Sequence, residues 1–287
     1  MANTSITQKA IWYVESHFRS APQLMDIAAS CDTSSYHLTR SFAVNTGITL
    51  ARYVRARRLT EAARKLAAGS ADILTVAIEA GYGSHEAFTR AFKDQFGITP
   101  EEVRSAANLA QLKMMEPMNM HKSKKIKLNK PRYERLGARL YAGIQRKYDC
   151  NQPNCLPDQW QQFGQLIGRI PGQKEAVAYG ICHNFDDAGQ FDYLTAVEIS
   201  DKSRIQPELN TILIPAQEYV IFRHDGHVAD IRATIGAIYS DWFPTSKKVT
   251  AETPMIERYG GEFDPLTGKG GLEIWIGIED STAKSSK

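Results

Sequence analysis

The chain has 287 residues, 43% of them hydrophobic and 23% charged, with a formal net charge of +3 at pH 7. That length accommodates two domains, and no apolar run approaches the ~20 residues a membrane span requires. The start, Met1-Ala2-Asn3-Thr4-Ser5, has neither a secretory apolar core nor Arg-rich transit character, so the expected compartment is the cytoplasm.

The first elements repeat themselves fifty residues apart. Leu38-Thr39-Arg40-Ser41-Phe42, followed by Gly47-Ile48-Thr49, returns as Phe88-Thr89-Arg90-Ala91-Phe92, followed by Gly97-Ile98-Thr99. A period in this range marks a duplicated supersecondary unit, and two copies are too few for a solenoid. Each copy reads as two helices around a tight turn. Leu24, Ile27 and Ala28 form an apolar stripe that Cys31-Asp32-Thr33-Ser34 interrupts; Ser34 then caps a helix with Leu38 and Phe42 inward. Ile73, Val76, Ala77 and Ala80 precede Gly81-Tyr82-Gly83-Ser84; Ser84 caps a helix with Phe88 and Phe92 inward, and Gly97 ends it. Asp32 and Gly81 stand where the turn needs positive φ, which Gly supplies easily and Asp less readily. Thr99-Pro100-Glu101-Glu102 is a capping box with Pro at the first helical position.

Between the copies, Leu50 to Ala68 has no internal Gly or Pro and reads as one helix of roughly 28 Å. That length holds two reading helices near one DNA turn apart, about 34 Å. Arg52, Arg55, Arg57, Arg58, Arg64 and Lys65 face only Glu61, which suits a phosphate backbone or a solvated helix face. Charge is uneven along the chain: residues 1–108 carry +2, residues 109–130 carry +5 and residues 131–287 carry −4. An acidic C-terminal part is poorly suited to DNA. These shifts predict a DNA-binding domain over 1–108, a basic linker over 109–130 and a small-molecule-binding domain over 131–287.

Residues 6 to 105 resemble the double helix-turn-helix DNA-binding domain of the AraC/XylS family of bacterial transcription regulators. The residues that carry the likeness are Ile78-Glu79-Ala80-Gly81-Tyr82-Gly83-Ser84, Phe88-Thr89-Arg90-Ala91-Phe92-Lys93 and Gly97-Ile98-Thr99-Pro100. Ser35-Tyr36-His37-Leu38-Thr39-Arg40-Ser41-Phe42 resembles the pattern of the group that includes Rob, MarA and SoxS. The resemblance implies base-edge contacts from Tyr36, Thr39 and Arg40 in the first reading helix and from His85, Glu86, Thr89 and Arg90 in the second. An arginine donates two parallel hydrogen bonds to guanine O6 and N7, which suits Arg40 and Arg90. Two positions depart from that group: His85-Glu86 replaces a pair of Gln, and Tyr36 replaces Trp. The expected partners are double-stranded promoter DNA and a small-molecule effector, with RNA polymerase a further candidate; one chain carries both reading helices, so no obligate dimer is expected.

In the C-terminal part the period changes from helical to alternating. Strands are predicted over Ala176–His183, Tyr193–Ile199, Tyr219–His224, Met255–Tyr259 and Leu272–Ile278, and helices over Asp158–Ile167 and Val228–Trp242. With a first strand after the linker, the order is strand, helix, strand, strand, repeated. The predicted fold class is therefore an all-α double helix-turn-helix domain followed by an α+β domain of duplicated strand-helix-strand-strand units.

The last strand alternates, so Leu272, Ile274, Ile276 and Ile278 share one face and Glu273, Trp275 and Gly277 the other. A carboxylate beside an indole suits a bulky organic cation; alternation alone equally allows an exposed strand with Glu273 solvated. Residues from about 125 to 280 resemble the GyrI-like effector-binding domain, on Trp160-x-x-Phe163, Tyr179-Gly180, Phe191-Asp192-Tyr193, Glu218-Tyr219-Val220-Ile221-Phe222, Ile256-Glu257-Arg258-Tyr259 and Leu272-Glu273-Ile274-Trp275-Ile276. The resemblance implies a cleft between the duplicated halves with Glu273 as its central carboxylate. Trp275, Trp160, Tyr179, Phe191, Tyr193 and Tyr219 are its expected aromatic walls. A Glu buried among aromatics is expected to have a raised pKa through desolvation.

No cofactor and no metal are expected. Cys31, Cys150, Cys155 and Cys182 lack framework spacing, and nothing completes Cys150-x4-Cys155 into a zinc site. Three functional classes follow: a ligand-responsive transcription regulator, a drug-sequestering protein with vestigial DNA binding, and a GyrI-like hydrolase. The intact reading helices argue against the second. Against the third, the adjacent Cys182 and His183 point to opposite faces of a strand and make a poor nucleophile-base pair.

Overall fold

Helical periodicity in the first third and alternation in the rest yield seven helices followed by an eight-stranded sheet among the described residues. The computed structural model describes residues 5–69, 72–106, 109, 112–118, 126–149, 156–186 and 189–279. The chain forms two units, Met1–Leu38 with Thr49–Ser123 and Thr39–Ile48 with Lys124–Lys287.

The helices are α1 (Ile6–His17), α2 (Leu24–Ser30), α3 (Ser35–Thr46), α4 (Leu50–Ala67), α5 (Ile73–Glu79), α6 (His85–Phe96) and α7 (Pro100–Ala106). Their ends are set by the residues the sequence marks. Ser34 Oγ accepts from the His37 amide and Ser84 Oγ from the Ala87 amide, both at 3.1 Å. Thr99 and Glu102 form the reciprocal capping box. The two helix-turn-helix turns are built alike. The Thr33 and Asp32 amides donate to Ala28 and Ala29 carbonyls, and the Tyr82 and Gly81 amides to Ala77 and Ile78 carbonyls. Both are Schellman motifs, with Asp32 at φ 53° and Gly81 at φ 74°. Leu59, Ala62, Ala63 and Leu66 of α4 pack with Val76, Ala77, Phe88, Phe92 and Val103. Phe88 and Phe92 are fully buried, each stabilising by about 1.5–3 kcal/mol.

Two expectations about charge are corrected. The α4 cations are not a free phosphate-facing row. Arg57 is buried in a two-point ion pair with Glu15, 2.8 Å on each arm, and Tyr53 Oη donates to the same carboxylate at 2.6 Å. Arg64 pairs with Glu116 and Lys65 with Glu79, while Arg58 donates to the Ala80 carbonyl. Arg52 and Arg55 remain exposed. Nor is the stretch after α7 a solvated linker throughout. The Met115 amide donates to Thr60 Oγ1, the Met115 carbonyl accepts from Arg57, and the Met118 amide donates to Tyr53 Oη. Residues 112–118 therefore lie along α4; Lys122, Lys124 and Lys125 fall outside the described residues.

The strands are β1 (Arg132–Leu136), β2 (Arg139–Asp149), β3 (Gln173–His183), β4 (Gln190–Ile199), β5 (Asn210–Ile214), β6 (Gln217–His224), β7 (Met255–Tyr259) and β8 (Leu272–Ile278). Helix α8 (Leu156–Gly164) precedes β3. Helices α9 (Ile231–Ala237) and α10 (Phe243–Ser246), joined through a π turn at Ile238–Trp242, precede β7. The sheet order is β1-β6-β8-β7-β3-β4-β2-β5, antiparallel throughout. Equivalent strands of the two halves thus flank the central β3·β7 pair, and the short strand that opens each half pairs with the other half, β1 with β6 and β5 with β2. The duplication inferred from element order is a property of the sheet.

Candidate functional site

Alternation decides which side chains the central strands send toward the helices. Cys182, Phe191, Tyr193, Phe222, Met255, Ile274 and Ile276 cluster with Ile235, Ile238 and Phe243 of the α9–α10 segment. Ala178, Val197, Tyr259 and Leu272 cluster with Phe163 of α8. Leu136, Tyr141, Tyr179, Ile181, Tyr219, Ile256 and Trp275 form a separate cluster on the other face. The expected aromatic wall is therefore divided. Trp160, Phe191 and Tyr193 lie on the helix-covered face, whereas Glu273, Trp275, Tyr179 and Tyr219 lie on the opposite one.

The helix-covered face holds a carboxylate that the sequence reading passed over. Glu257, on central strand β7, is buried. Its Oε2 accepts from Tyr193 Oη at 2.7 Å and from Tyr259 Oη at 3.0 Å. Trp160 Nε1 donates to Tyr193 Oη at 3.2 Å, and the Trp160 ring lies 4.5 Å from that of Tyr259. Among the described residues no Lys, Arg or His pairs with Glu257. Burial pushes its pKa up, and the two tyrosine hydrogen bonds only partly offset this. Burial and the neighbouring carboxylate raise Tyr193 and Tyr259 well above the usual phenol range. Helix α8 is fixed over the site by Gln159. Its Nε2 donates to the Ile144 and Tyr193 carbonyls at 2.7 and 3.0 Å, and its Oε1 accepts from Tyr148 Oη at 2.7 Å. Glu257 was legible: Met255, Glu257 and Tyr259 share one face of β7, so a carboxylate stands between two large, largely apolar side chains.

Glu273 has different surroundings. Arg132 grips it at two points, 2.6 and 3.0 Å, and Trp275 Nε1 donates to it at 3.0 Å. Arg258 approaches to 3.6 Å. Burial acts to raise its pKa, but the hydrogen bonds of Arg132 and Trp275 and the charges of Arg132 and Arg258 outweigh it, holding the carboxyl below its ordinary value. The raised pKa expected of Glu273 is thus found at Glu257 instead, because two guanidinium groups more than compensate the desolvation of Glu273.

In the helical part, Tyr36 and Arg40 stand one turn apart on α3, with Thr39 beside them. Tyr36 and Thr39 are half-buried and Arg40 is buried. On α6, Glu86 and Arg90 are exposed one turn apart, and His85 Nε2 lies 3.3 Å from the Glu101 carboxylate. The Thr89 hydroxyl is buried with no hydrogen-bond partner among the described residues. Of the two arginines expected to read bases, Arg90 is exposed and Arg40 is buried.

Among the described residues there is no group of three or more His, Cys, Asp or Glu able to hold a metal, and no helix long and apolar enough to cross a membrane. Cys150 and Cys155 lie outside the described residues.

A tandem pair of helix-turn-helix units with a duplicated strand-helix-strand-strand domain defines a DNA-binding transcription regulator with a separate effector domain. The family model of the GyrI-like small molecule binding domain matches residues 129–279, and that of a helix-turn-helix domain matches residues 27–106. The chain belongs to the AraC/XylS-type regulators fused to a GyrI-like C-terminal domain. It is 25% identical to the transcriptional regulator Rob of Salmonella typhimurium over 93% of this chain and 94% of that one. It is 31% identical to the multiple antibiotic resistance protein MarA of Escherichia coli over 39% of this chain and 87% of that one. The structure of SAV2435 bound to tetraphenylphosphonium covers 53% of this chain and 94% of its own, at 18% identity and a TM-score of 0.45.

Proposed function

We propose that this regulator senses a lipophilic organic cation at Glu257 and reads promoter DNA with Tyr36, Thr39, Arg40, His85, Glu86, Thr89 and Arg90. The observation that carries the effector reading is a buried carboxylate that, among the described residues, has no cationic partner and is hydrogen-bonded to two tyrosine hydroxyls beside Trp160. An organic cation supplies the charge that Glu257 lacks, and aromatic faces attract it through their quadrupoles. Phe191 and Tyr148, packed at a ring distance of 6.0 Å, extend the apolar wall. Glu273 already carries two arginine partners and offers a cation less. A promoter-binding regulator works beside the chromosome, so the cytoplasm is its compartment.

The test is a tryptophan-fluorescence titration of the whole protein with lipophilic cations, anions and neutral compounds, beside Glu257→Gln and Glu273→Gln. Saturable cation binding lost in Glu257→Gln and kept in Glu273→Gln supports the reading. The reverse pattern moves the counter-charge to Glu273, and preference for anions removes the cation reading.

A further inference from the structure

The exposed surface of α6 pairs two opposite chemistries at a spacing that suits reading bases. Glu86 is the second residue of the helix and Arg90 follows four residues later, so both lie on one face about 6 Å apart along the axis. That rise corresponds to about two base-pair steps of 3.4 Å. Neither side chain forms an ion pair among the described residues. His85, which precedes them, lies 3.3 Å from the Glu101 carboxylate of α7.

A carboxylate has acceptors and no donor. In the major groove guanine presents two acceptors, and thymine an acceptor with a methyl group; both repel or exclude it. Adenine sets an acceptor, N7, beside its N6 donor, so one carboxylate oxygen faces a lone pair. Cytosine's own major-groove edge offers the N4 donor and no acceptor. Arg90 has the complementary preference, since its guanidinium donates twice to guanine O6 and N7. Glu86 is fully exposed, and hydrogen bonds from its own amide and from the Ser84 hydroxyl hold its carboxyl below the ordinary value, so it meets DNA ionised.

Resting on the reading of α6 as a DNA-contacting helix, we propose that Glu86 is a specificity-determining residue that selects cytosine at one position of the half-site, about two base pairs from a guanine read by Arg90. The alternative role, a negative charge that merely favours the start of α6, predicts no base preference.

The experiment is selection from randomised duplex DNA by the full chain. Binding to every single-base substitution of the selected site is then measured for wild type, Glu86→Gln and Glu86→Ala. Wild type is expected to favour cytosine at that position roughly 5- to 150-fold. Glu86→Gln moves the preference at that position alone to adenine, because an amide both donates to N7 and accepts from N6. Glu86→Ala loses discrimination there and nowhere else. A uniform rise in affinity in both variants with the base order unchanged overturns the assignment, leaving Glu86 as phosphate repulsion only. A selected site without cytosine near the Arg90-dependent guanine also overturns it. Failure of wild type to select any sequence removes the DNA reading on which it rests.

Discussion

Gly180 lies directly across from Glu257 in the β3·β7 register, and a Cβ at that glycine would stand 2.9 Å from Glu257 Oε2 while overlapping the Tyr193 hydroxyl. The close approach of the carboxylate and its tyrosine donor thus depends on a missing side chain. Gly180→Ala is expected to break the Tyr193–Glu257 hydrogen bond, because Tyr193 is buried and has nowhere to retreat. The cost is about 1–3 kcal/mol, the range for overpacking a well-filled core. Urea unfolding of wild type and variant measures it. An unchanged midpoint would show that the tyrosine relaxes freely and that the glycine does not shape the site.

If the proposed cation site is at Glu257, protonation of that residue links stability to effector binding. Its folded pKa is raised above the unfolded value, so between the two values the native state holds more protons. Stability therefore falls as pH rises across that window. Glu257→Gln is expected to flatten this slope and raise stability at neutral pH by on the order of 1 kcal/mol. Cation affinity has the opposite trend, strengthening as pH rises and Glu257 ionises, with a proton released on binding. Calorimetric titration in two buffers of different ionisation enthalpy reads the proton directly. Cation affinity that stays constant from acid to neutral pH would exclude Glu257 as the counter-charge.

The parts of the fold that sequence revealed are those where one local rule dominates. Ser34, Ser84 and Gly97 fixed helix ends by capping chemistry, and the alternation of Met255–Tyr259 and Leu272–Ile278 matched two strands at both ends. The expected first strand after the linker had no readable bounds because Arg132-Tyr133-Glu134-Arg135 is an exposed edge with no apolar period, and β5 was missed because Ile212-Leu213-Ile214 runs apolar without alternating. The site was harder to read for a different reason. Alternation separates the two faces of one strand but does not say which face of another strand it joins. Tyr179 and Tyr193 consequently looked equivalent although the sheet sends them to opposite sides. The choice between Glu257 and Glu273 rests on Arg132 and Arg258, whose contacts are set by register across strands.

For Glu273 the linkage has the reverse sign. Its folded pKa lies below the unfolded one, so its contribution is present above the unfolded value and is lost as pH falls through the folded value. The Arg132 side chain is half-exposed and Glu273 is 16% exposed, so solvent screening limits the pair to about 1 kcal/mol. Glu273→Gln is expected to lower stability by that amount at neutral pH and to weaken the dependence on acid pH. Thermal melts between acid and neutral pH test this. A variant as stable as wild type at neutral pH would show that the pair contributes nothing net.

The two Schellman turns give a matched experiment on the duplicated helix-turn-helix. Asp32 and Gly81 both adopt positive φ, a region that costs a residue with a Cβ roughly 1–2 kcal/mol. Asp32→Gly removes that strain but adds backbone freedom to the unfolded chain and loses the 3.9 Å contact with Lys9, an exposed pair of little worth. A net gain of up to about 1 kcal/mol is expected. Gly81→Ala introduces the strain and drives a Cβ into the Arg58 guanidinium, which donates to the Ala80 carbonyl and lies 5.7 Å from the Tyr82 ring. A loss of about 1–3 kcal/mol is expected, combining the backbone penalty with displacement of Arg58. Denaturant unfolding of the full chain, followed by helical circular dichroism, compares the two. Changes of the same sign would show that the turns, alike in hydrogen bonding, are not limited by the backbone at these positions. Opposite signs would establish that the first copy tolerates a strained turn which the second avoids through glycine.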